Sequence, residues 1–408
     1  MIHRPRILLL LPEAWGHDGG VQAYGRGLLQ SLREARPGAL IEVISVLDRP
    51  DQCPPALLRD PALQLQGLGG GPRWRWEPQL LRAALAAAGR RPGLVLAAHV
   101  HLAPAALLAA RRAGVEAWLT AHGKEVWGLP RGVRRSSLRR VDRLLPVSRY
   151  TASQLQPLLR GRRSPPPCSV LPNAYDPGRF HPGPRPPALL QRYGLGPQTP
   201  LLFSLTRLSV ADRPKRIERL IEAMPELRRL HPDLRLLIGG DGDDRPRLQE
   251  LAARLGLTGS VLLPGRLADD ELADHFRLAT VFALPSSKEG FGIVFLEALG
   301  CGCPVLGGNR DGTADPLQDG RLGALVDPDA PLVPPLDRLL RRQGPPLWFE
   351  PEALAAATAT AFGEAARSRA LAALLDAHAP SLDQPRLDHD HLRSDHPRSD
   401  HQIGRAHV

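Results

Sequence analysis

The stretch from residue 281 to 300, VFALPSSKEGFGIVFLEALG, contains the strongest structural signal in the chain. Four apolar residues, Val281–Leu284, precede a polar turn with two glycines, and an apolar run of helical period begins at Ile293. A short strand, a glycine turn and a helix in this order form one unit of a parallel sheet. Glycines let the backbone approach a ligand, and a helix N-terminus presents free N–H groups. The stretch therefore predicts an α/β domain with a phosphate or sugar site at the turn.

The same alternation of short apolar runs with helical stretches occurs in both halves of the chain. In the first half the predicted strands are Ile7–Leu11, Ile41–Leu47, Leu94–Val100, Ala117–Ala121 and Leu144–Val147. In the second half they are Leu201–Leu205, Leu234–Ile238, Val261–Leu263, Val281–Leu284 and Pro304–Leu306. Because a single hydrophobic core rarely grows beyond about 250–300 residues, a chain of 408 residues is expected to form two domains. The sequence therefore predicts two Rossmann-like, doubly wound parallel-sheet domains.

A proline-rich segment divides the chain near its middle, which places a first domain at 1–175, a linker at 176–199 and a second domain at 200–380. The alanine-rich helical stretch Pro351–Leu375 is expected either to close the second domain or to cross back to the first. Residues 381–408 are rich in His and Asp, a composition that can bind metal. They have no core-forming pattern, so we interpret them as a non-native or disordered tail.

The composition is that of a soluble globular protein, with 43% hydrophobic and 23% charged residues. The net charge of +11 favours anionic partners such as nucleotide phosphates, nucleic acid or an acidic lipid surface. No run reaches the roughly 20 apolar residues of a membrane span, and the first residues do not resemble a cleavable signal. We therefore expect a cytoplasmic location. The four cysteines form neither a disulfide framework nor a zinc motif, and we expect no metal and no cofactor.

Two acids and two cations of the second half are candidates for ligand binding. Glu289 precedes the glycine turn and Glu297 lies on the following helix, so both carboxylates could accept hydroxyl groups on one side of a cleft. Arg207 and Lys215 follow the first strand of this half, where such sheets bind ligands, and suit a diphosphate. The alternative is a surface acid, a capping acid and two solvated loop cations.

In the first half, Gly19 and Gly20 precede an amphipathic helix and could approach an anion or sugar, or form an ordinary tight turn. His122 ends a predicted strand, where it could face the cleft or be structural. A basic cluster follows, which is either a solvated helix face or a docking surface for anionic lipid. Its members are Arg131, Arg134, Arg135, Arg139, Arg140 and Arg143.

From Ile7 to about Leu375 the chain resembles the family-four, GT-B-fold retaining glycosyltransferases. The residues that carry the resemblance are Gly19-Gly20, Val147-Ser148-Arg149-Tyr150, Leu171-Pro172-Asn173, Arg207, Lys215, Gly239-Gly240-Asp241-Gly242, Pro264-Gly265-Arg266 and Glu289 with Glu297. The resemblance implies two Rossmann-like domains facing a cleft, a nucleotide-diphosphate sugar donor and a glycan or lipid-linked acceptor. It also implies metal-independent hexosyl transfer with retention of anomeric configuration, in cell-surface polysaccharide biosynthesis at the inner face of the cytoplasmic membrane.

The resemblance also implies roles for individual residues. Glu289 would hold hydroxyls of the donor sugar and Glu297 the ribose, while Arg207 and Lys215 would hold the diphosphate. Backbone groups near Phe291, Gly292 and Ile293, together with Gly265 and Arg266, would complete the donor site. His122 would lie beside the reacting sugar, with Gly19 and Gly20 closing over it. One departure is Arg216, where similar enzymes often have glycine after the lysine, which leaves the shape of the phosphate loop open.

Three other classes of protein share part of this pattern. A nucleotide-sugar epimerase of the same two-domain fold would share the cations and the carboxylates but would need no acceptor. A Rossmann oxidoreductase would need the G-x-G-x-x-G fingerprint, which neither Gly16–Val21 nor Gly239–Gly242 contains. A nucleic-acid-binding protein would explain the positive charge but not the paired acids. The sequence favours the transferase, and nucleic acid is not expected as a partner.

Overall fold

The computed structural model describes residues 4–17 and 19–378. The tail that the sequence analysis assigned to 381–408 lies outside the described residues. Within them, the chain forms two α/β domains, each built on a six-stranded parallel sheet. The expected pair of Rossmann-like domains is confirmed. Among the described residues, no helix combines the length and the apolar character needed to cross a membrane.

The first sheet has the strand order β3-β2-β1-β4-β5-β6. Its strands are β1 Arg6–Leu11, β2 Leu40–Ser45, β3 Leu63–Gly67, β4 Leu94–Ala97, β5 Glu116–Ala121 and β6 Arg143–Pro146. The covering helices are α1 Gly20–Ala35, α2 Pro55–Leu58, α3 Trp76–Ala88, α4 Ala103–Ala113, α5 Val133–Leu138 and α6 Arg149–Leu159. The central strands are apolar on both faces because helices cover both sides. The strand order reverses between β1 and β4, which opens a crevice at their carboxyl ends.

The second sheet repeats this topology in the order β12-β11-β10-β7-β8-β9. Its strands are β7 Leu201–Leu205, β8 Arg235–Gly239, β9 Val261–Gly265, β10 Val281–Leu284, β11 Val305–Gly308 and β12 Ala324–Val326. Helix α7, Pro187–Arg192, lies in the predicted linker. The helices that follow are α8 Ile217–Leu230, α9 Arg245–Arg254, α10 Leu272–Leu278, α11 Ile293–Gly300, α12 Val333–Leu340, α13 Pro351–Phe362 and α14 Glu364–His378. The reversal point here lies between β7 and β10.

Each of the ten strands expected from the sequence is present, with ends that differ by a few residues. The two strands that the sequence pattern did not reveal are β3 and β12, and both are edge strands. An edge strand pairs on one side only, so it needs neither the length nor the continuous apolar run of a central strand. In β3, two of the five side chains are exposed, and β12 has only three residues, all half-buried. Their sequences therefore lack the signal that marks the other strands.

The last two helices connect the domains. Gly363 separates α13 from α14, and the backbone N–H of Tyr175 donates to the carbonyl of Phe362 at 3.1 Å. Helix α14, which the sequence boundaries group with the second domain, packs on α1 of the first domain. Its buried Arg367 donates from Nε to Ser31 Oγ at 2.9 Å. The stretch Pro351–Leu375 thus crosses back to the first domain, one of the two outcomes expected.

Candidate active site

Two loops of the second domain meet at its reversal point between β7 and β10. Lys215 ends a 3-10 turn before α8, and its Nζ lies 3.3 Å from Glu289 Oε2. Ser287 joins the two loops, because its backbone N–H and its Oγ both donate to the carbonyl of Pro214, at 2.9 and 3.0 Å. Glu289 Oε2 accepts no directed hydrogen bond from the described residues. This oxygen therefore keeps a lone pair for a ligand hydroxyl while a cation sits beside it.

A buried aspartate that the sequence analysis missed holds the Glu289 loop in place. Asp311 is 4% exposed, and its carboxylate accepts the backbone N–H of Glu289 at 2.6 Å and that of Thr313 at 3.0 Å. The N–H of Gly312 in turn donates to the carbonyl of Glu289 at 2.8 Å. Burial raises the pKa of Asp311 above its ordinary value. Its position just beyond β11 is the one sequence signal that could have identified it, because ligand-site residues cluster at strand ends.

The glycine turn has the geometry that the sequence predicted. Gly292 has φ +87° and directly precedes α11, and a Cβ at this position would lie 2.5 Å from the ring of Phe295. The side chain of Phe291 points into the core, where its ring contacts Phe362 of α13 at 5.9 Å. Among the described residues, no backbone carbonyl accepts the N–H groups of Phe291 and Gly292. Only the backbone of this turn is thus available to a ligand.

Glu297, on α11, lies in a different electrostatic environment from Glu289. Burial raises its pKa to about 7. The charge of Arg179 lowers the pKa by a smaller amount, and the charge of Asp269 raises it. Its carboxylate has no hydrogen-bond partner within the described part of the chain. The two acids therefore differ in kind: Glu289 is paired with a cation, whereas Glu297 is a partly buried acid that half-ionises near neutral pH.

The glycine motif after β8 supports the Arg207 loop from behind. A Cβ on Gly240 would lie 1.8 Å from the carbonyl oxygen of Thr206, and one on Gly242 would lie 2.2 Å from that of Leu208. No side chain fits between these backbones, so both positions require glycine. The loop in front leaves the side chain of Arg207 80% exposed, with one guanidinium nitrogen 3.3 Å from Asp212. Most of its N–H donors therefore point to solvent on the cleft side.

Gly265 and Arg266 are both predicted in the donor site, but they lie in different surroundings. The carbonyl of Gly265 accepts the N–H of Gly240 at 2.8 Å, so this glycine supports the turn behind Arg207. Arg266 is exposed and its charge acts across the cleft on His17 of the first domain. The pKa of His17 is nevertheless raised, chiefly by its hydrogen bond to Glu13. Arg266 is the residue of the two that faces the opposite domain.

In the first domain, a buried aspartate again shapes the loop beside the reversal point. Asp48 is fully buried, and its carboxylate accepts the backbone N–H groups of Ala14, Trp15 and Gly16 at 2.7, 2.9 and 2.7 Å. Three such bonds fold the chain after β1 into a tight loop at the carboxyl end of the sheet. No local pattern in the sequence marks Asp48, because its role depends on contacts with residues more than thirty positions away.

Gly19 and Gly20 stand at the start of α1, as predicted. Gly19 is the N-cap in an extended conformation, and Gly20 is the first helical residue, with open space where a Cβ would be. The residue before them, Asp18, lies outside the described residues. Glu13 supports this segment: its two carboxylate oxygens accept Nδ1 of His17 at 2.5 Å and Nε2 of Gln22 at 2.7 Å. The first turn of α1 therefore begins with two residues that carry no side chain.

His122 lies at the end of β5, at the same edge of the sheet. Its Nε2 lies 2.7 Å from the carbonyl oxygen of Ala98, and because a carbonyl only accepts, this nitrogen carries the proton. The ring of Tyr24 packs edge-on against the imidazole with centroids 4.5 Å apart, and His99 stacks on it at 5.9 Å. Burial lowers the pKa of His99 to about 4, so this neighbour is neutral. These contacts fix the tautomer and orientation of His122.

The two domains touch next to Glu289. Gly123 has φ +144°, and a Cβ on it would lie 2.8 Å from the Cα of Gly290, while one on Gly290 would lie 2.0 Å from the carbonyl oxygen of His122. Ser148, the N-cap of α6, donates from Oγ to the carbonyl of Gly290 at 2.6 Å. The structure thus brings His122 of one domain and Glu289 of the other to the same end of the cleft.

Comparison with known proteins identifies the family. The model of glycosyl transferases group 1 matches residues 190–346, and that of glycosyltransferase family 4 matches residues 18–179. D-inositol 3-phosphate glycosyltransferase of Nocardiopsis dassonvillei is 30% identical over 345 residues, which cover 76% of this chain and 78% of that protein. The chain belongs to the group 1, family 4 glycosyltransferases. The resemblance stated from its motifs is therefore confirmed.

Other members of this glycosyltransferase family match part of the chain. The GDP-mannose-dependent alpha-(1-6)-phosphatidylinositol monomannoside mannosyltransferase of Mycolicibacterium smegmatis is 38% identical over 240 residues, which are 55% of this chain and 61% of that protein. Among solved structures, Anabaena HepE in complex with UDP and glucose has a TM-score of 0.71 at 19% identity, covering 91% of this chain and all of HepE. The lipopolysaccharide outer core galactosyltransferase WaaB reaches 0.69 at 17% identity, covering 91% and 99%. These structures support the GT-B fold.

Arg216 keeps the backbone shape that a glycine after Lys215 would favour. It has φ +62° and ψ 33°, in the left-handed region, and its guanidinium forms an ion pair with Asp329 at 2.8 Å. Left-handed backbone costs a non-glycine residue about 1–2 kcal/mol. The departure noted in the sequence therefore leaves the loop geometry intact, at a cost in strain.

We predict that Arg216→Gly changes the free energy of unfolding by less than about 1 kcal/mol, because relief of the strain offsets the ion pair and the extra freedom of the unfolded glycine. Arg216→Val should destabilise the protein by about 1–2 kcal/mol or more, because a β-branched residue tolerates this conformation least. Urea denaturation of both variants measures the difference. Equal destabilisation by Gly and Val would contradict the left-handed assignment.

The raised pKa of Glu297 predicts how stability depends on pH. The folded state holds this proton up to about pH 7, whereas the unfolded chain releases it near the ordinary value of 4.5. The unfolded chain therefore loses this proton before the folded state does, and the free energy of unfolding falls as pH rises from about 4.5 to 7. Glu297→Gln should match the parent near pH 4.5 and exceed its unfolding free energy by about 2 kcal/mol above pH 7. Thermal unfolding across this range tests it, with exposed Glu352→Gln as the control; a pH-independent difference would refute the assignment.

Proposed function

We propose that the protein is a retaining glycosyltransferase that moves a hexose from a nucleotide-diphosphate sugar to a glycan or lipid-linked acceptor. The observation that carries this proposal is the Lys215–Glu289 pair at the reversal point of the second sheet, with His122 and Gly123 of the first domain against it. Membership of the glycosyltransferase family supports the reaction class. The alignment with the mycobacterial mannosyltransferases covers about 60% of their length.

The chemical requirement is departure of a nucleotide diphosphate from the anomeric carbon. The bond from that carbon to the phosphate oxygen breaks, and negative charge grows on the diphosphate. In our proposal, Lys215, Arg207 and the N-terminus of α11 stabilise this charge with their own positive charge and free N–H groups. We propose that these groups replace a metal ion.

The remaining residues act on the sugar and on the nucleoside. In our proposal, Glu289 accepts hydroxyls of the sugar through its unused oxygen, and His122 lines the opposite wall of the site. The acceptor hydroxyl forms its new bond to the anomeric carbon on the face that the diphosphate leaves, and its proton passes to the departing phosphate oxygen. Glu297 accepts the ribose hydroxyls, and the N–H groups of Phe291, Gly292 and Ile293 contact the phosphates.

The relatives suggest which donor and acceptor to test first. The mycobacterial relatives are named as GDP-mannose-dependent enzymes that act on phosphatidylinositol monomannoside, and the structural neighbour HepE was solved with UDP and glucose. We propose a hexose donor with GDP or UDP, and GDP-mannose is the first donor to test. An acceptor carried on a lipid or on a growing surface polysaccharide would place the enzyme at the inner face of the cytoplasmic membrane.

A basic and aromatic surface of the first domain fits such a location. Trp74 and Val133 are each 71% exposed, and the guanidinium of Arg75 stacks over the Trp74 ring at 4.7 Å. Arg134 of α5 forms an exposed ion pair of 3.1 Å with Glu77 at the start of α3, so these side chains lie on one surface. Tryptophan and arginine together are typical of contact with anionic lipid headgroups. Arg143, predicted in the same cluster, is buried and donates to Ser169, so it does not contribute.

For this surface, we predict that Arg134→Gln combined with Arg140→Gln weakens binding to phosphatidylglycerol-containing vesicles roughly tenfold or more, since each arginine contributes about 1 kcal/mol. Trp74→Ala should weaken it further, and salt should reduce the effect of the arginines. The matched control replaces Arg229 and Arg254, two exposed arginines of the second domain, with glutamine. Vesicle sedimentation measures binding. Equal losses of vesicle binding in both double variants, or no binding by the parent, would show that this surface is solvated and does not contact lipid.

The division of labour in the site gives a kinetic prediction. Lys215→Ala should lower kcat roughly 10²- to 10³-fold, because it removes a preorganised partner of charge that develops in the transition state. Glu289→Gln should also lower kcat. Glu297→Gln should mainly raise the KM for the sugar donor, because the ribose is unchanged in the reaction. In the parent, that KM should rise as pH falls below about 7, since a protonated Glu297 accepts fewer hydroxyls, and the variant should lose this dependence.

The assay is steady-state kinetics with GDP-mannose and UDP-glucose in excess EDTA. Lys288→Ala is the control, because this exposed lysine adjoins Glu289 but lies near the Trp127 ring instead, 6.0 Å from its centroid. Complete loss of parent activity in EDTA would overturn the metal-independent proposal. A Glu297→Gln variant without turnover, together with a Lys215→Ala variant changed only in KM, would mean that the ligand lies in another orientation.

A further inference from the structure

Asp212 lies where the two domains and the diphosphate cations come together. It belongs to the 3-10 turn Val210–Lys215 that follows the Arg207 loop, and its side chain is only 3% exposed. One carboxylate oxygen accepts Nζ of Lys124, from the first domain, at 2.6 Å. The other accepts Oγ of Ser209 at 2.8 Å and lies 3.3 Å from a guanidinium nitrogen of Arg207. One buried acid therefore contacts a cation from each side of the cleft.

Asp212 requires these partners, because a buried carboxylate is unfavourable unless it is paired and hydrogen-bonded. Burial by itself would raise the pKa of Asp212, but the hydrogen bonds from Lys124 and Ser209 and the nearby Arg207 hold it below the ordinary value. The acid is thus kept ionised by its partners. Lys124 directly follows His122 and Gly123, which pack against Gly290 of the second domain, so the ion pair with Asp212 lies beside the contact between the domains.

The contact with Arg207 is weaker than that with Lys124. The arginine is 80% exposed and uses one nitrogen at 3.3 Å, so the rest of its planar fork stays available for a phosphate. Asp212 therefore restrains the direction of Arg207 without consuming its donors. If a diphosphate draws Arg207 away, Lys124 and Ser209 still neutralise and solvate the acid.

We propose that Asp212 is a positioning residue that orients Arg207 toward the leaving diphosphate and, through its ion pair with Lys124, couples this orientation to closure of the two domains. The proposal rests on the proposed glycosyl transfer for its kinetic part only. Its structural part concerns the unliganded protein and stands independently of the substrate.

The test compares Asp212→Asn, Lys124→Met, the double variant and Lys124→Arg. Asp212→Asn and Lys124→Met should each lower kcat roughly tenfold to hundredfold, less than loss of Lys215, with little change in the KM for GDP-mannose or UDP-glucose. The double variant should be no worse than Asp212→Asn, because the two residues act as one unit. Lys124→Arg keeps the charge and should stay within about threefold of the parent.

Small-angle X-ray scattering of the unliganded variants supplies a readout that needs no activity. Asp212→Asn and Lys124→Met should show a larger radius of gyration than the parent, and Lys124→Arg should not. The matched control is Asp244→Asn, because Asp244 is equally buried and pairs with Arg213 and Arg247 of its own domain. This control should lose stability but keep the domain spacing and kcat.

An unchanged radius of gyration in both Asp212→Asn and Lys124→Met would overturn the proposal, and so would additive losses of kcat in the double variant. So would a loss of kcat in Asp244→Asn as large as that in Asp212→Asn. If the parent turns over neither sugar donor, the proposed function fails in parent and variants alike. The scattering comparison then still decides whether Asp212 and Lys124 hold the domains together.

Discussion

The two domains meet where the backbone of Gly123 packs against that of Gly290, and the geometry of the cleft depends on this contact. A single methyl group on Gly290 would collide with the carbonyl oxygen of His122. Because neither glycine carries a side chain, the loop after β5 and the loop after β10 can meet directly. Glu289 and His122 are neighbours of these glycines in sequence, so the contact carries both to the same end of the cleft. A larger residue at either position would separate them.

Buried aspartates hold the loops around this contact. Asp48 accepts three backbone N–H groups after β1, Asp311 accepts that of Glu289, and Asp212 joins cations of both domains. Each side chain is at most 5% exposed. A buried carboxylate is stable only when its acceptor sites are filled, so each of them enforces one loop conformation. The site is thus rigid in its loops, although it lies between two domains.

Several residues have roles that differ from a simple reading of their motifs. The glycines after β8 allow the Arg207 loop to pass directly in front of them, so they shape that loop through their lack of a side chain. Phe291 directs its ring into the core and leaves only backbone at the turn. Arg216 adopts a conformation favoured by glycine, which shows that tertiary contacts can override a local preference. In each case the motif lies beside the carboxyl end of a strand, as the sequence predicted, but the neighbouring chain decides the contacts that the residue makes there.

The sequence by itself determined the α/β class, the duplicated sheet and the position of Glu289, Lys215, Arg207 and His122 at strand ends. These follow from local periodicity and from the rule that ligands bind at the carboxyl ends of parallel strands. Only the tertiary structure decided the edge strands, the return of α14 to the first domain, the buried aspartates and the link between Lys124 and Asp212. Each of these depends on contacts between residues that are far apart in the chain, and a pairing between two such residues leaves no periodic trace in the sequence around either one.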